Sequence, residues 1–161
     1  MPYRQNIAAF RFDRINTVTY TNKTQPTSMT SENFLEENFP RNSQLRKEAL
    51  ALVDFYTKVT GSPCVMWNKL FGFGKYQYFD SKGGEHEYMM TGFAISSTGF
   101  TLYNLMGWEE YKKDLENLGK HKFSGKSCLA IKSIEVINLK ILEPVVMRSL
   151  ADMKKNYKTE K

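Results

Sequence analysis

The chain is poor in the residues from which disulfide frameworks, metal centres and rigid turns are built: 161 residues hold two cysteines, two histidines and five prolines. Cys64 and Cys128 each lead into apolar residues (Val65-Met66-Trp67 and Leu129-Ala130-Ile131), and neither belongs to a Cys-x-x-Cys pair. They read as small packed hydrophobes, with no disulfide expected and no reactive thiol. With His86 and His121 alone, a nucleophile–histidine–acid triad has little to draw on, and neither a Gly-x-Ser-x-Gly elbow nor a His-Glu-x-x-His helix is present. Glu85-His86-Glu87 offers no metal trio, because strand alternation sends the histidine to the face opposite both glutamates. Apolar runs such as Ile7–Phe10 and Leu50–Val53 fall far short of the ~18 residues needed to span a bilayer, so no membrane association is expected. No positive start leads into an apolar signal core, and the expected location is the cytoplasm.

Charge and aromatic residues are plentiful, and both are unevenly placed. Residues 1–110 carry 11 Lys/Arg and 11 Asp/Glu, whereas residues 111–161 carry 12 Lys/Arg and 6 Asp/Glu, so the whole net charge of +6 belongs to the last third. A basic patch there would suit a small anion, an acidic protein partner or nucleic acid. Ten of the 22 aromatic residues lie between Trp67 and Tyr103. That density excludes a disordered chain and points to core, with a few rings available to stack on a ligand.

Periodicity predicts a fold of helices, then hairpins, then helices. Residues 1–22 read as an arm or an added edge strand, and Lys23 to Thr30 as a linker containing Pro26. A short helix is predicted over Glu32–Asn38 with Ser31 as its cap. A second runs over Ser43–Thr60, where Leu45, Ala49, Leu52, Val53, Tyr56 and Val59 form one stripe and Gly61 is the stop. Strands are predicted over Cys64–Leu70, Lys75–Asp80, Glu87–Ile95, Phe100–Met106 and Ser127–Lys132, with turns at Ser81–Gly84 and Ser96–Gly99. Helices are predicted over Trp108–Leu118 and Glu143–Asn156, followed by a basic tail over 157–161. The expectation is a single α+β domain over 23–156: one antiparallel sheet of about five strands, helices on one face, and Leu45, Leu52, Tyr56, Val146 and Leu150 buried between them.

Three segments invite a functional reading. Gly119-Lys120-His121-Lys122-Phe123-Ser124-Gly125-Lys126-Ser127 is not a P-loop, since five residues separate its glycines and a strand follows it. Its lysines and glycines nonetheless suit an anion. Lys120, Lys122, Lys126 and Ser127 are the candidate ligand-binding residues, with Trp67, Phe73 or Tyr103 as an apolar wall. Phe71-Gly72-Phe73-Gly74-Lys75-Tyr76-Gln77-Tyr78 is similar to part of an RNA-recognition strand, but Phe71 stands where a basic residue leads and Lys75 takes an aromatic slot. Glu32, Glu36 and Glu37 make a small acidic face on the first helix, the sole and weak candidate for a metal.

Taken in order, Met66-Trp67, Gly72-Phe73-Gly74-Lys75-Tyr76-Gln77-Tyr78, Gly92-Phe93, Leu102-Tyr103, Leu118-Gly119-Lys120-His121-Lys122 and Gly125-Lys126-Ser127-Cys128-Leu129 resemble the YdhG-like domain family, whose function is unknown. The resemblance spans about Lys23 to Asn156. It implies a compact fold close to frataxin's, and it brings in a frataxin-like iron chaperone as an alternative function, with iron as the metal carried. A Ser-Pro-Arg-Lys run frequent in that family is replaced by Ala94-Ile95-Ser96-Ser97, which removes two positive charges beside the sheet. The expected function is a non-catalytic module binding a small anionic ligand or a partner, with no cofactor; nucleic-acid binding through the basic third is the other alternative.

Overall fold

The computed structural model describes residues 26–160, and the expected N-terminal arm over 1–22 lies outside them. Two helices open the described chain, α1 over Ser31–Asn38 and α2 over Ser43–Thr60. Thr30, one residue before the expected cap, accepts the Asn33 amide and starts α1, as a hydroxyl at this position does for an otherwise unpaired donor. Asn42 does the same for Leu45 at α2, which ends at Gly61 in the left-handed region.

The strands are β1 (Cys64–Trp67), β2 (Leu70–Phe79), β3 (Glu85–Ser96), β4 (Gly99–Asn104), β5 (Lys122–Ser124) and β6 (Cys128–Ile131). Helix α3 (Leu139–Asn156) follows, and β7 (Thr159–Glu160) closes the described chain. All pairings are antiparallel, in the order β1-β2-β3-β4-β6-β5, with β7 on β2 beside residues Lys75 and Tyr76. The protein is therefore α+β, with seven strands and three α-helices among the described residues.

The sheet exceeds the expected five strands by two. Asn68 takes a φ of 60° and turns the chain between Trp67 and Leu70, so the expected strand over Cys64–Leu70 ends at Trp67 and β2 begins at Leu70, five residues before the expected Lys75. The segment expected to be a basic loop contains β5, paired to β6 across the turn at Gly125. The expected tail supplies β7, where Glu160 lies opposite Lys75.

Two helix boundaries also differ. Over Trp108–Leu118 the chain winds as a 3₁₀ turn (Glu109–Tyr111) and further turns. The buried stripe of Trp108, Tyr111, Leu115 and Leu118 is nonetheless kept. The segment is held at its start, where the Trp108 amide donates to the Lys126 carbonyl and its indole N–H to the Ser127 carbonyl, both at 2.9 Å. Helix α3 starts at Leu139, four residues before the expected Glu143, because Asn138 caps it by accepting the Lys140 amide.

The middle of the sheet is buried on both faces, since Tyr88–Phe93 of β3 are all buried, and the helices pack on the face that carries Phe71 and Phe93. Phe71 lies opposite Phe93 in the ladder and stacks on it at 4.5 Å, and Tyr56 of α2 stacks on both Phe73 and Phe93. Phe34 of α1 meets Phe71 edge-on, and Ser149 of α3 hydrogen-bonds Asn104 of β4 on the same face. All three helices thus cover this face. Leu45, Leu52, Tyr56, Val146 and Leu150 are buried, as the periodicity predicts.

Candidate functional site

The register of β4, β6 and β5 explains where open space forms. Lys122 lies opposite Ala130, and Ala130 opposite Thr101, so one row across three strands has small side chains next to a lysine. Such a row leaves a low floor on the pleated surface. Continuing the β5–β6 ladder by two positions brings Lys120 level with Lys132. At the end of these strands lies an open groove of ≈ 510 Å³. Its basic side is Lys120, His121, Lys122 and Lys132; its apolar side is Ala130 and Val136, with the buried Phe100 and Ile131 bounding it from the core; Ser96 and Thr98 of the β3–β4 turn complete it.

Two glycines bring the walls together. Gly119 has a φ of +115°, and a Cβ there would sit 2.0 Å from the Val136 carbonyl oxygen. Its bridge to Ile137 draws the basic segment against the short helix Ile134–Val136. Gly99 has a φ of +144°, and its Cβ would sit 2.3 Å from the Ile131 carbonyl, so the β3–β4 turn lies directly against β6. A glycine permits both the positive φ and the close backbone approach.

The groove is electrostatically one-sided. No carboxylate is among its lining residues, and none of the ion pairs among the described residues engages Lys120, Lys122 or Lys132. Three other basic side chains are paired: Lys75 lies 3.3 Å from both Glu87 and Glu160, which raise its pKa, Lys112 lies 2.9 Å from Glu109, and Arg148 lies 2.8 Å from Asp114. His121 is oriented by its own segment. Its Nδ1 lies 2.6 Å from the Gly119 carbonyl, which can only accept, so the proton is on Nδ1 and Nε2 is the free nitrogen.

The structure separates the residues that the sequence grouped. Lys120 and Lys122 line the groove together. Lys126 and Ser127 do not: they lie in and after the β5–β6 turn, where their carbonyls hold Trp108 and, through Ser127, the Asn104 amide. Trp67 and Phe73 are 2% and 0% exposed and belong to the core, well apart from the lysines in the ladder. Gly72 gives the Trp67 indole its seat, since a Cβ there would lie 2.5 Å from the ring. Tyr103 is half-buried on β4 opposite Cys128, and burial pushes its phenol up to about 12. The groove's apolar side comes instead from Ala130 and Val136. Lys132, Ser96, Thr98 and Val136 were missed by sequence reasoning. The signal for Lys132 was the possibility of pairing Lys122–Ser124 with Cys128–Ile131 about Gly125.

The remaining candidates are placed as follows. Glu32, Glu36 and Glu37 are exposed on α1, with Glu32 accepting from Ser31. No three His, Cys, Asp or Glu side chains are grouped to hold a metal ion among the described residues. Both cysteines are free. Burial and then the nearby Glu32 carboxylate push the Cys64 thiol up to about 12, and burial raises Cys128, the opposite of what an attacking thiolate needs. Among the described residues no helix is long and apolar enough to cross a membrane. Comparison with protein-family models, curated proteins and solved structures returned no match.

Proposed function

We propose that this chain is a non-catalytic binding module for small anions, which it takes up in the groove between the β3–β4 turn and the Gly119–Lys122 segment. The single observation that carries this reading is the lining: three lysines and an imidazole converge on one cavity that no carboxylate enters. A pocket with apolar walls and a few placed polar groups is the usual form of a small-molecule site. Lysine acts as a point charge on a flexible stem, so selectivity among anions of one size is loose. The antiparallel sheet with helices on one face supports, at that level of detail, the YdhG-like resemblance and its frataxin-like fold. The iron-chaperone alternative rests on the resemblance and on the three exposed α1 glutamates.

The test is a calorimetric titration with phenyl phosphate at fixed ionic strength. Lys120→Ala with Lys122→Ala weakens binding about tenfold or more, taking roughly 1 kcal/mol per charge-assisted contact. Lys154→Ala with Lys158→Ala leaves it unchanged. Equal weakening by both pairs would mean a general charge effect. Retention of RNA with a steep salt dependence and the same indifference to position would favour nucleic-acid binding instead.

A further inference from the structure

The groove contains more than charge. Val136 is 45% exposed, a β-branched apolar side chain left in solvent on the wall facing the lysines. Ala130 and Thr101 form a low floor between Lys122 and the β3–β4 turn. An inorganic anion would engage Lys120, Lys122 and Lys132 and leave this apolar side in water. A ligand with an apolar body would cover it, and burial of apolar area would add to the charge contacts.

Resting on the anion-binding reading above, we infer that the groove is built for an amphipathic anion: a sulfonate, phosphate or carboxylate head at Lys120, Lys122 and Lys132, carried on an aryl or short alkyl body that lies over Ala130 and against Val136. Both walls are positioned by backbone contacts: the Gly119–Ile137 bridge sets the basic segment beside Val136, and Gly99 sets the β3–β4 turn beside Ile131. Head and body sites are therefore fixed relative to one another before any ligand arrives, which spares the cost of ordering loops on binding. The free Nε2 of His121 lies in the same basic wall.

Naphthalene-2-sulfonate and inorganic sulfate separate the two contributions, because both heads stay ionised across the neutral range. Titrated calorimetrically at constant ionic strength, the naphthalene compound binds at least tenfold tighter than sulfate. It does so with a negative heat-capacity change, the mark of apolar burial. Val136→Ser, a change at an exposed position with little bearing on folding, weakens naphthalene-2-sulfonate about threefold and leaves sulfate untouched. Lys122→Ala weakens both. Sulfate binding as tightly as the naphthalene compound, or Val136→Ser leaving the latter unchanged, overturns the amphipathic assignment while the anion site stands. Failure of both probes to bind overturns the anion site and this inference together.

Discussion

The aromatic segment and the basic segment are equally conspicuous in the sequence, yet the fold uses them in opposite ways. From Phe71 to Phe93 the large rings other than Phe79 turn inward: Phe71, Phe73 and Phe93 are wholly buried, and Tyr56 from α2 stacks on the last two. From Gly119 to Lys132 the four lysines stay in solvent, three of them around a groove, while the neighbouring backbone holds the structure. A buried aromatic contributes through area and close packing, and an exposed lysine contributes little to stability. The difference predicts that stability and binding are separable by position, and that only the glycines joining the walls affect both.

The largest effect is expected in the aromatic region. Phe73→Ala removes a ring with no exposure and leaves a cavity beneath Tyr56, at a cost of about 3–5 kcal/mol, read from the urea midpoint. Any molecules still folded keep their affinity for the anion probe. Gly119→Ala is the change that joins the two regions. Its Cβ meets the Val136 carbonyl at 2.0 Å in a conformation that alanine rarely adopts, so about 1–3 kcal/mol of stability is lost together with the geometry of the basic wall. Undiminished stability in that variant would mean the bridge to Ile137 is not held as described.

Asp80 lies in the β2–β3 turn of the aromatic segment, away from the groove, and gives a pH-dependent contrast. The His86 imidazole nitrogen at 2.6 Å, then the Gly84 and Lys82 amides, hold its carboxyl below the usual carboxylate range. A carboxyl lowered on folding stabilises above its unfolded value near 4, and that contribution disappears as pH falls through the lowered folded value. Asp80→Asn therefore lowers the melting temperature at pH 7, and the gap between variant and parent narrows as pH falls below about 4 and through the lowered folded value. A gap that persists there would assign the loss to turn geometry and not to the carboxylate. Smallest of all is Lys122→Ala, within about 0.5 kcal/mol in stability even though it weakens anion binding severalfold.

The legible parts of the fold were those written in local periodicity. The α2 stripe with its Gly61 stop, the β2–β3 and β3–β4 turns, and the burial of Val146 and Leu150 follow from spacing alone. Features dictated by distant partners were not legible. The segment over Trp108–Leu118 has a helical stripe, but its ends are fixed by carbonyls of Lys126 and Ser127 and by the Tyr111 hydroxyl bond to Asp152. In the site, Lys120 and Lys122 stood out by composition. Lys132 and Val136 joined them only through the β5–β6 register and the Gly119–Ile137 bridge, which are contacts between backbone segments. Conversely, Trp67 and Phe73 looked available as a ligand wall because a sequence does not say which rings a helix covers.

The most direct measurement is amide chemical-shift mapping by ¹⁵N–¹H correlation spectroscopy as naphthalene-2-sulfonate is added. The account predicts saturable shifts confined to residues 96–101, 119–123 and 130–137, with Lys154 and Lys158 silent. Shifts spread evenly over the basic surface, or centred on Trp67 and Lys75, would contradict the claim that the groove is the binding site.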